Sequence, residues 1–214
     1  MSVKVSPEMR IFSPEGEPLY LNGDERARFL AAVKKDTDRN AVIFCTLLYY
    51  TGARPTELRE LTMDRLNIEE STVVLRSIKK RKYDRNGNSK QNQYRSIPIP
   101  EDVMDLVSIA FNLLAKQKKK SRALLWPSES NAKTPINEST VYRWVKRNMT
   151  TAGITGKKAT SKGLRHSFGV HMVLNNVPLV TIKDLMGHTS TQTTEIYLQV
   201  MGGEKKNMVL DTWK

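Results

Sequence analysis

Four stretches of this chain hold residue types suited to gripping an anion or activating a hydroxyl. In TGARPTEL, Arg54 follows a glycine turn at the start of a helix, with Glu57 placed to hold the local turn. Read alone, Arg54 caps or pairs locally; read as chemistry, it projects into a cleft. Lys79, Lys80, Arg81 and Lys82 form a basic run at the end of a strand. Such a run is either a solvated hairpin tip or a set of point charges that follows a DNA groove and brings one ammonium to a reacting oxygen. In KGLRHSFGVHM, Lys162 and Arg165 stand three apart on one helical face, where both can meet an anion. His166 points elsewhere, and His171 reads as a packing histidine. In LMGHTSTQTTEIYLQV, His188 follows the glycine that ends a helix, and Tyr197 lies nine positions on in an amphipathic pattern where an aromatic is ordinarily core. A guanidinium, an imidazole and a phenol, each at the edge of a compact element, can converge on one phosphate.

Those residues need elements to position them. Asn22 with Glu25 forms a capping-box pair that starts a helix at NGDERARFLAAVKK. Arg39 to Tyr50 is a strongly apolar helix that stops at Thr51-Gly52, and the next helix begins near Pro55 and continues through Leu61. The period then changes. STVVL (Ser71 to Leu75) is β-branched and YRSIPI (Tyr94 to Ile99) alternates, so both read as strands. Asn86-Gly87 between them is a hairpin signal, and Pro98 and Pro100 mark an edge strand. Glu101 to Gln117 reads as an amphipathic helix, and Asn137 caps another. Gly187 ends a helix, with Thr189 or Ser190 capping the one that carries Tyr197. Residues 1–21, with Pro7, Pro14, Pro18 and Gly16, show no sustained period and read as an arm that packs on something else.

Bulk properties narrow the partners. The chain has 214 residues, enough for a core of ordinary size. Lys and Arg number 35 against 22 Asp and Glu, a formal net charge of +13 that points to nucleic acid or an acidic surface. One cysteine, Cys45, lies in the apolar run AVIFCTLLYY, which leaves no disulfide framework and reads as a buried small hydrophobe. No apolar run approaches a membrane span, and MSVKVSPEMRIF lacks the apolar centre of a signal peptide, so a reduced cytosolic compartment is the expectation. The zinc, P-loop and hydrolase-elbow motifs are absent from the sequence.

Taken jointly, TGARPTELREL, TVVLRSIKK…YRSIPI, KGLRHSFGVHM and LMGHTSTQTTEIYLQV resemble, in order and spacing, the catalytic domain of the tyrosine recombinases (the phage integrase family) from about Leu21 to Val200. The resemblance implies a mainly α fold with a small antiparallel β-sheet (α+β). It divides the chain into an arm at 1–21, a catalytic domain at 22–200 and a tail at 201–214 that packs on a neighbouring protomer. By position, Arg54 and Arg165 match the two catalytic arginines, His188 the histidine of the third box, and Tyr197 the nucleophile. Lys79 best fits the hairpin lysine, with Lys80 and Lys82 as alternatives, and Glu57 fits the supporting acid. Lys162 departs from the pattern by standing where the family has histidine; a lysine donates to a phosphate oxygen but does not accept a proton near neutral pH. Lys80, Arg81, Lys82, Arg85, Lys157 and Lys158 are the expected DNA contacts.

The implied chemistry is attack of Tyr197 on a DNA phosphodiester, giving a 3′-phosphotyrosyl link with no cofactor and no metal. Implied partners are double-stranded DNA, a homotetramer on that DNA and accessory DNA-bending proteins; no membrane is implied, and the compartment is the cytoplasm with the nucleoid. Two alternatives stay open, a catalytically silent DNA-binding protein of the same fold and a type IB topoisomerase. The family usually carries a separate helical domain before the catalytic one, so both a minimal member and a fragment fit this sequence.

Overall fold

The computed structural model describes residues 10–77, 93–114 and 122–201. The centre of the fold is α2 (Arg39–Thr51), an almost wholly apolar helix that buries Ile43, Phe44, Leu47 and Leu48. Asp38 caps it by accepting from the amides of Asn40 and Ala41. Around it pack α1 (Gly23–Lys34), α4 (Glu101–Phe111), α5 (Glu138–Thr151) and α6 (Ser161–Leu174). The expected capping box of α1 is present in full: Asn22 accepts from Glu25 N, and the Glu25 carboxylate accepts from Asn22 N.

Between α2 and α4 come the short α3 (Pro55–Arg59) and a sheet of β1 (Leu66–Asn67), β2 (Thr72–Ser77) and β3 (Gln93–Pro98), ordered β1-β2-β3 and antiparallel. Val73 pairs with Ile97 and Leu75 with Arg95. The inward row Val73, Leu75 and Ile97 is buried, and β3 is the edge strand that its prolines suggested. Residues 78–92, which include Lys79, Lys80, Arg81, Lys82, Arg85 and the Asn86-Gly87 turn, lie outside the described residues, as does the tail after Met201.

Several boundaries differ from expectation. α3 closes at Arg59, five residues long, and Leu61 is reached through a turn in which its amide bonds Leu58 O. α4 closes at Phe111, where Asn112 adopts a left-handed conformation (φ 51°); Leu113 and Leu114 are helical again, and Gln117 lies outside the described residues. β1 was not anticipated; two residues are too few to show a period.

The rest of the chain forms α6, α7 (Leu179–Met186), the single turn α8 (Gln192–Glu195) and a 3-10 segment, Ile196–Met201, that carries Tyr197. Thr191, rather than Thr189 or Ser190, stands at the start of α8, and Ser190 Oγ accepts from Gln192 N. This end of the molecule has its own apolar cluster of Ile11, Phe168, Val170, Val173, Ile182, Met186, Ile196 and Tyr197. Residues 10–21 lie against it. Ile11 is fully buried, and Leu21 N donates to Ser167 Oγ at 2.7 Å. Among the described residues, no helix is long and apolar enough to cross a membrane.

Candidate active site

Gly52 sets the first half of the site. It ends α2 in a left-handed turn (φ 57°), and a Cβ there would stand 2.5 Å from the Phe168 ring. Only glycine meets both demands. The turn delivers Arg54 to the first residue before α3 and leaves Gly52 O facing α6. Arg165 Nη1 donates to that carbonyl at 2.6 Å, and Arg165 Nη2 donates to Met186 O at the end of α7, also at 2.6 Å. The second arginine is thus suspended between two chain turns. Burial, then the charge of Arg54, lowers its pKa to about 10, which leaves it protonated at neutral pH.

Glu57 lies beneath Arg54 with a fully buried side chain. Its carboxylate accepts from Arg54 N (2.9 Å) and Arg54 Nη1 (3.1 Å). It also accepts from Arg95 Nη2 (2.6 Å) and Arg95 Nη1 (3.2 Å). Burial works to raise the Glu57 pKa, but the bonds and charge of Arg95 outweigh it and hold the group below its ordinary value. Arg95 was not singled out from sequence. Its Nε donates to Leu185 O at 2.8 Å and its Nη1 to Ser77 Oγ at 3.1 Å, so one side chain ties the sheet, α3 and α7 together. A Cβ on Gly187 would stand 2.8 Å from its Nη1, so the glycine lets the guanidinium through. The signal was present: in YRSIPI, Arg95 shares a face with Ile97, a charge in core-facing register.

The second half begins at Gly187, which ends α7 in a left-handed conformation (φ 62°). The buried His188 that follows meets Thr194 Oγ1 through Nδ1 at 2.9 Å, leaving Nε2 for another partner. Burial, then the charges of Arg165 and Arg54, lowers its pKa to about 3, so His188 is neutral near pH 7. Tyr197 lies nearly parallel to it, ring centroids 6.4 Å apart. Tyr197 is 1% exposed, and its hydroxyl meets His166 Nδ1 at 3.2 Å. Burial raises the phenol to about 12 against the charges of Arg165 and Arg54.

An open groove of about 800 Å³ runs from Ser77 and Gln93, at the facing ends of β2 and β3, past Arg95 to Gly187 and His188. Lys162 stands exposed on the first turn of α6, with its charge felt at His166. Two expected DNA contacts have partners within the chain: Lys157 Nζ lies 3.1 Å from Glu15 Oε2, and Lys158 Nζ lies 2.6 Å from Glu25 Oε1. His166, read as pointing elsewhere, is buried against Tyr197 because α6 is covered on that side by the 3-10 segment. His171, read as a packing histidine, is exposed near the end of α6 and bonded to Asn175. Among the described residues, no three His, Cys, Asp or Glu side chains are grouped to hold a metal ion.

Residues 20–202 match the phage integrase family, and the chain belongs to it. It is 31% identical over 196 residues to tyrosine recombinase XerA of Pyrococcus furiosus, covering 92% of this chain and 62% of that protein. It therefore spans about six-tenths of the length of that relative. Among solved structures, a XerA recombinase superposes with a TM-score of 0.68 at 25% identity, over 91% of this chain and 65% of that one. A XerH site-specific recombinase, solved after cleavage on its palindromic difH substrate, superposes with a TM-score of 0.67 over 91% of this chain and 53% of that one. At 19% identity, that second likeness concerns the fold.

Proposed function

We propose that this chain is a site-specific DNA recombinase or integrase that cleaves and rejoins DNA strands through a 3′-phosphotyrosyl intermediate on Tyr197. The observation that carries the reading is the convergence of Arg54, Arg165, His188 and Tyr197 from four separate elements. Arg165 is bonded at once to the turn that launches Arg54 and to the end of the helix that launches His188. The charges of both arginines reach both His188 and Tyr197.

Tyr197 Oη gives up its proton to solvent and forms a bond to phosphorus as the bond to the 5′ oxygen breaks. The developing negative charge falls on oxygens that Arg54 and Arg165 are placed to hold, each able to bind two at once. His188, neutral with Nε2 free of Thr194, donates to the same phosphate. The hairpin lysine, Lys79 with Lys80 and Lys82 as alternatives, protonates the leaving 5′ oxygen. Lys162 binds a phosphate oxygen as a cation, and Glu57 holds Arg54 in place. The phosphotyrosyl bond conserves the energy of the cleaved linkage, so religation needs neither ATP nor another cofactor. The partner is double-stranded DNA, in keeping with the XerH neighbour captured on its difH substrate. Strand exchange calls for a homotetramer on that DNA, assisted by DNA-bending proteins, with residues 201–214 reaching a neighbouring protomer. Residues 1–21 serve as an arm to the catalytic domain at 22–200, and the protein works in the cytoplasm on the nucleoid.

The test uses a nicked duplex recovered from a random-sequence pool by binding to the chain. In EDTA, a covalent protein–DNA adduct forms and is lost in Tyr197→Phe. Arg165→Ala slows adduct formation by about 10²–10³-fold with little loss of binding. A chain that binds the duplex tightly and never forms the adduct is the catalytically silent protein instead.

A further inference from the structure

The nucleophile assigned above rests in a place from which it cannot attack. Tyr197 is 1% exposed and belongs to the second apolar cluster with Ile11, Phe168 and Met186. Its ring lies against the bare backbone of Gly169, where a Cβ would stand 2.5 Å from the tyrosine Cζ. Among the described residues, its hydroxyl has one hydrogen-bond partner, His166 Nδ1. His166 is 4% exposed, and its Nε2 is buried with no partner among them. A nitrogen left unsatisfied costs free energy, so the hydroxyl supplies the imidazole's one polar contact.

We infer that His166 is a latch: the bond between its Nδ1 and the Tyr197 hydroxyl holds the nucleophile in its resting position until the hydroxyl exchanges the imidazole for a phosphate. The inference rests on the reading of Tyr197 as the nucleophile. A different role for the same contact, His166 as the base that takes the tyrosine proton, fits the surroundings poorly. Burial, then the charges of Lys162 and Arg165, lowers His166 to about 4, and a base must become the imidazolium that this environment disfavours. As a latch, the ring works in the neutral form that it already holds. His166 is therefore a positioning residue acting through Tyr197.

The test reads Tyr197 directly and uses no DNA. The full chain is treated with tetranitromethane and nitration is scored by peptide mass spectrometry, with Tyr142, 63% exposed, as internal reference. Tyr197 of the unmodified chain should react at least about tenfold more slowly than Tyr142, as its burial requires. His166→Phe fills the space without an acceptor and should raise Tyr197 nitration several-fold at an unchanged Tyr142 rate. His166→Asn, which keeps a polar group near the Nδ1 position, should restore most of the protection. Equal protection of Tyr197 in His166→Phe would overturn the latch, because packing alone would then hold the ring. Should His166→Phe fold poorly, Tyr197→Phe decides: the His166 Nδ1 resonance in ¹⁵N spectra must move when the hydroxyl is removed, and an unmoved resonance sinks the proposal. Since no DNA is involved, the latch can fail while strand cleavage stands, and protection of Tyr197 by His166 without any adduct would count against the nucleophile reading rather than against the contact.

Discussion

The arginine half and the tyrosine half of the site are held by very different amounts of structure. Arg95 and Glu57 share two bonds, Glu57 makes two more to Arg54, and Arg95 adds a carbonyl and a hydroxyl. The half that, in the proposed function, stabilises charge without reorganising is thus fixed before any ligand arrives. Tyr197 sits on a 3-10 segment, in the smaller of two apolar clusters, with one hydrogen bond to its hydroxyl among the described residues. The half that, in the proposed function, has to travel is tied by little. Under the proposed function, rigidity is matched to chemical role, since electrostatic groups gain from being fixed and a nucleophile buried in the resting state has to be released.

The largest effect should come from breaking the rigid half. Glu57→Ala leaves the Arg95 guanidinium, with 7% of its side chain exposed, without its carboxylate. Removing one member of a buried pair costs about 3–5 kcal/mol, to be read as a shift in the urea midpoint at unchanged slope. Arg95→Met with Glu57→Leu removes both charges and should recover much of that loss. A single Glu57→Ala costing under about 1 kcal/mol would show that the network is not the anchor described.

Acid should separate the two halves. His166 and His188 have folded pKa values near 4 and 3, against about 6.5 unfolded, so as pH falls below 6.5 the unfolded chain takes up protons that the folded chain refuses. Stability therefore falls with decreasing pH in that window, by up to about 1.4 kcal/mol per pH unit for each histidine. Glu57 is depressed, so its contribution is complete above its unfolded pKa and is lost only as pH drops below about 4.5. Denaturant midpoints between pH 7 and 4.5 should slope in the parent chain and lose about half of that slope in His166→Phe. A flat profile there would refute the neutral, buried state of both rings.

The share of this legible in sequence follows the range of the interactions. The α1 capping box, the Gly52 and Gly187 turns and the β2–β3 pairing are local patterns, and the structure contains all of them. The phage integrase membership and the mainly α fold with a small sheet were likewise readable, because the motif order carries them. Arg95 and His166 escaped because their partners lie 38 and 31 positions away, beyond any periodicity. The break in the helix after Phe111 was hidden for another reason: Asn112 in a left-handed conformation is a cap that a polar residue inside an amphipathic run does not announce.

Gly169→Ala tests the loose half at smaller cost. An added methyl meets the far end of the Tyr197 ring at 2.5 Å, a side chain able to move, and alanine gains about 1 kcal/mol of helix propensity over glycine. The net change in stability should stay within about 1–2 kcal/mol, while Tyr197 nitration rises. At Gly52 the same substitution meets the Cβ and Cγ of Phe168 and a left-handed backbone, so its loss should be clearly larger. Equal losses at the two glycines would remove the distinction between a fixed and a releasable half.

The smallest effect divides the two lysines before α6. Lys158 pairs with Glu25 with both side chains largely covered, at 23% and 11% exposed, whereas Lys157 and Glu15 are 69% and 62% exposed. An ammonium already committed to a sheltered carboxylate gains little by moving to DNA; one on an open surface exchanges partners freely. Lys157→Ala should therefore leave the melting temperature unchanged and lower the salt slope of DNA binding by about 0.9. Lys158→Ala should cost about 0.5–1 kcal/mol of stability and leave that slope where it was. If the slopes respond the other way round, Glu25 releases Lys158 on binding, and α1 shifts with it.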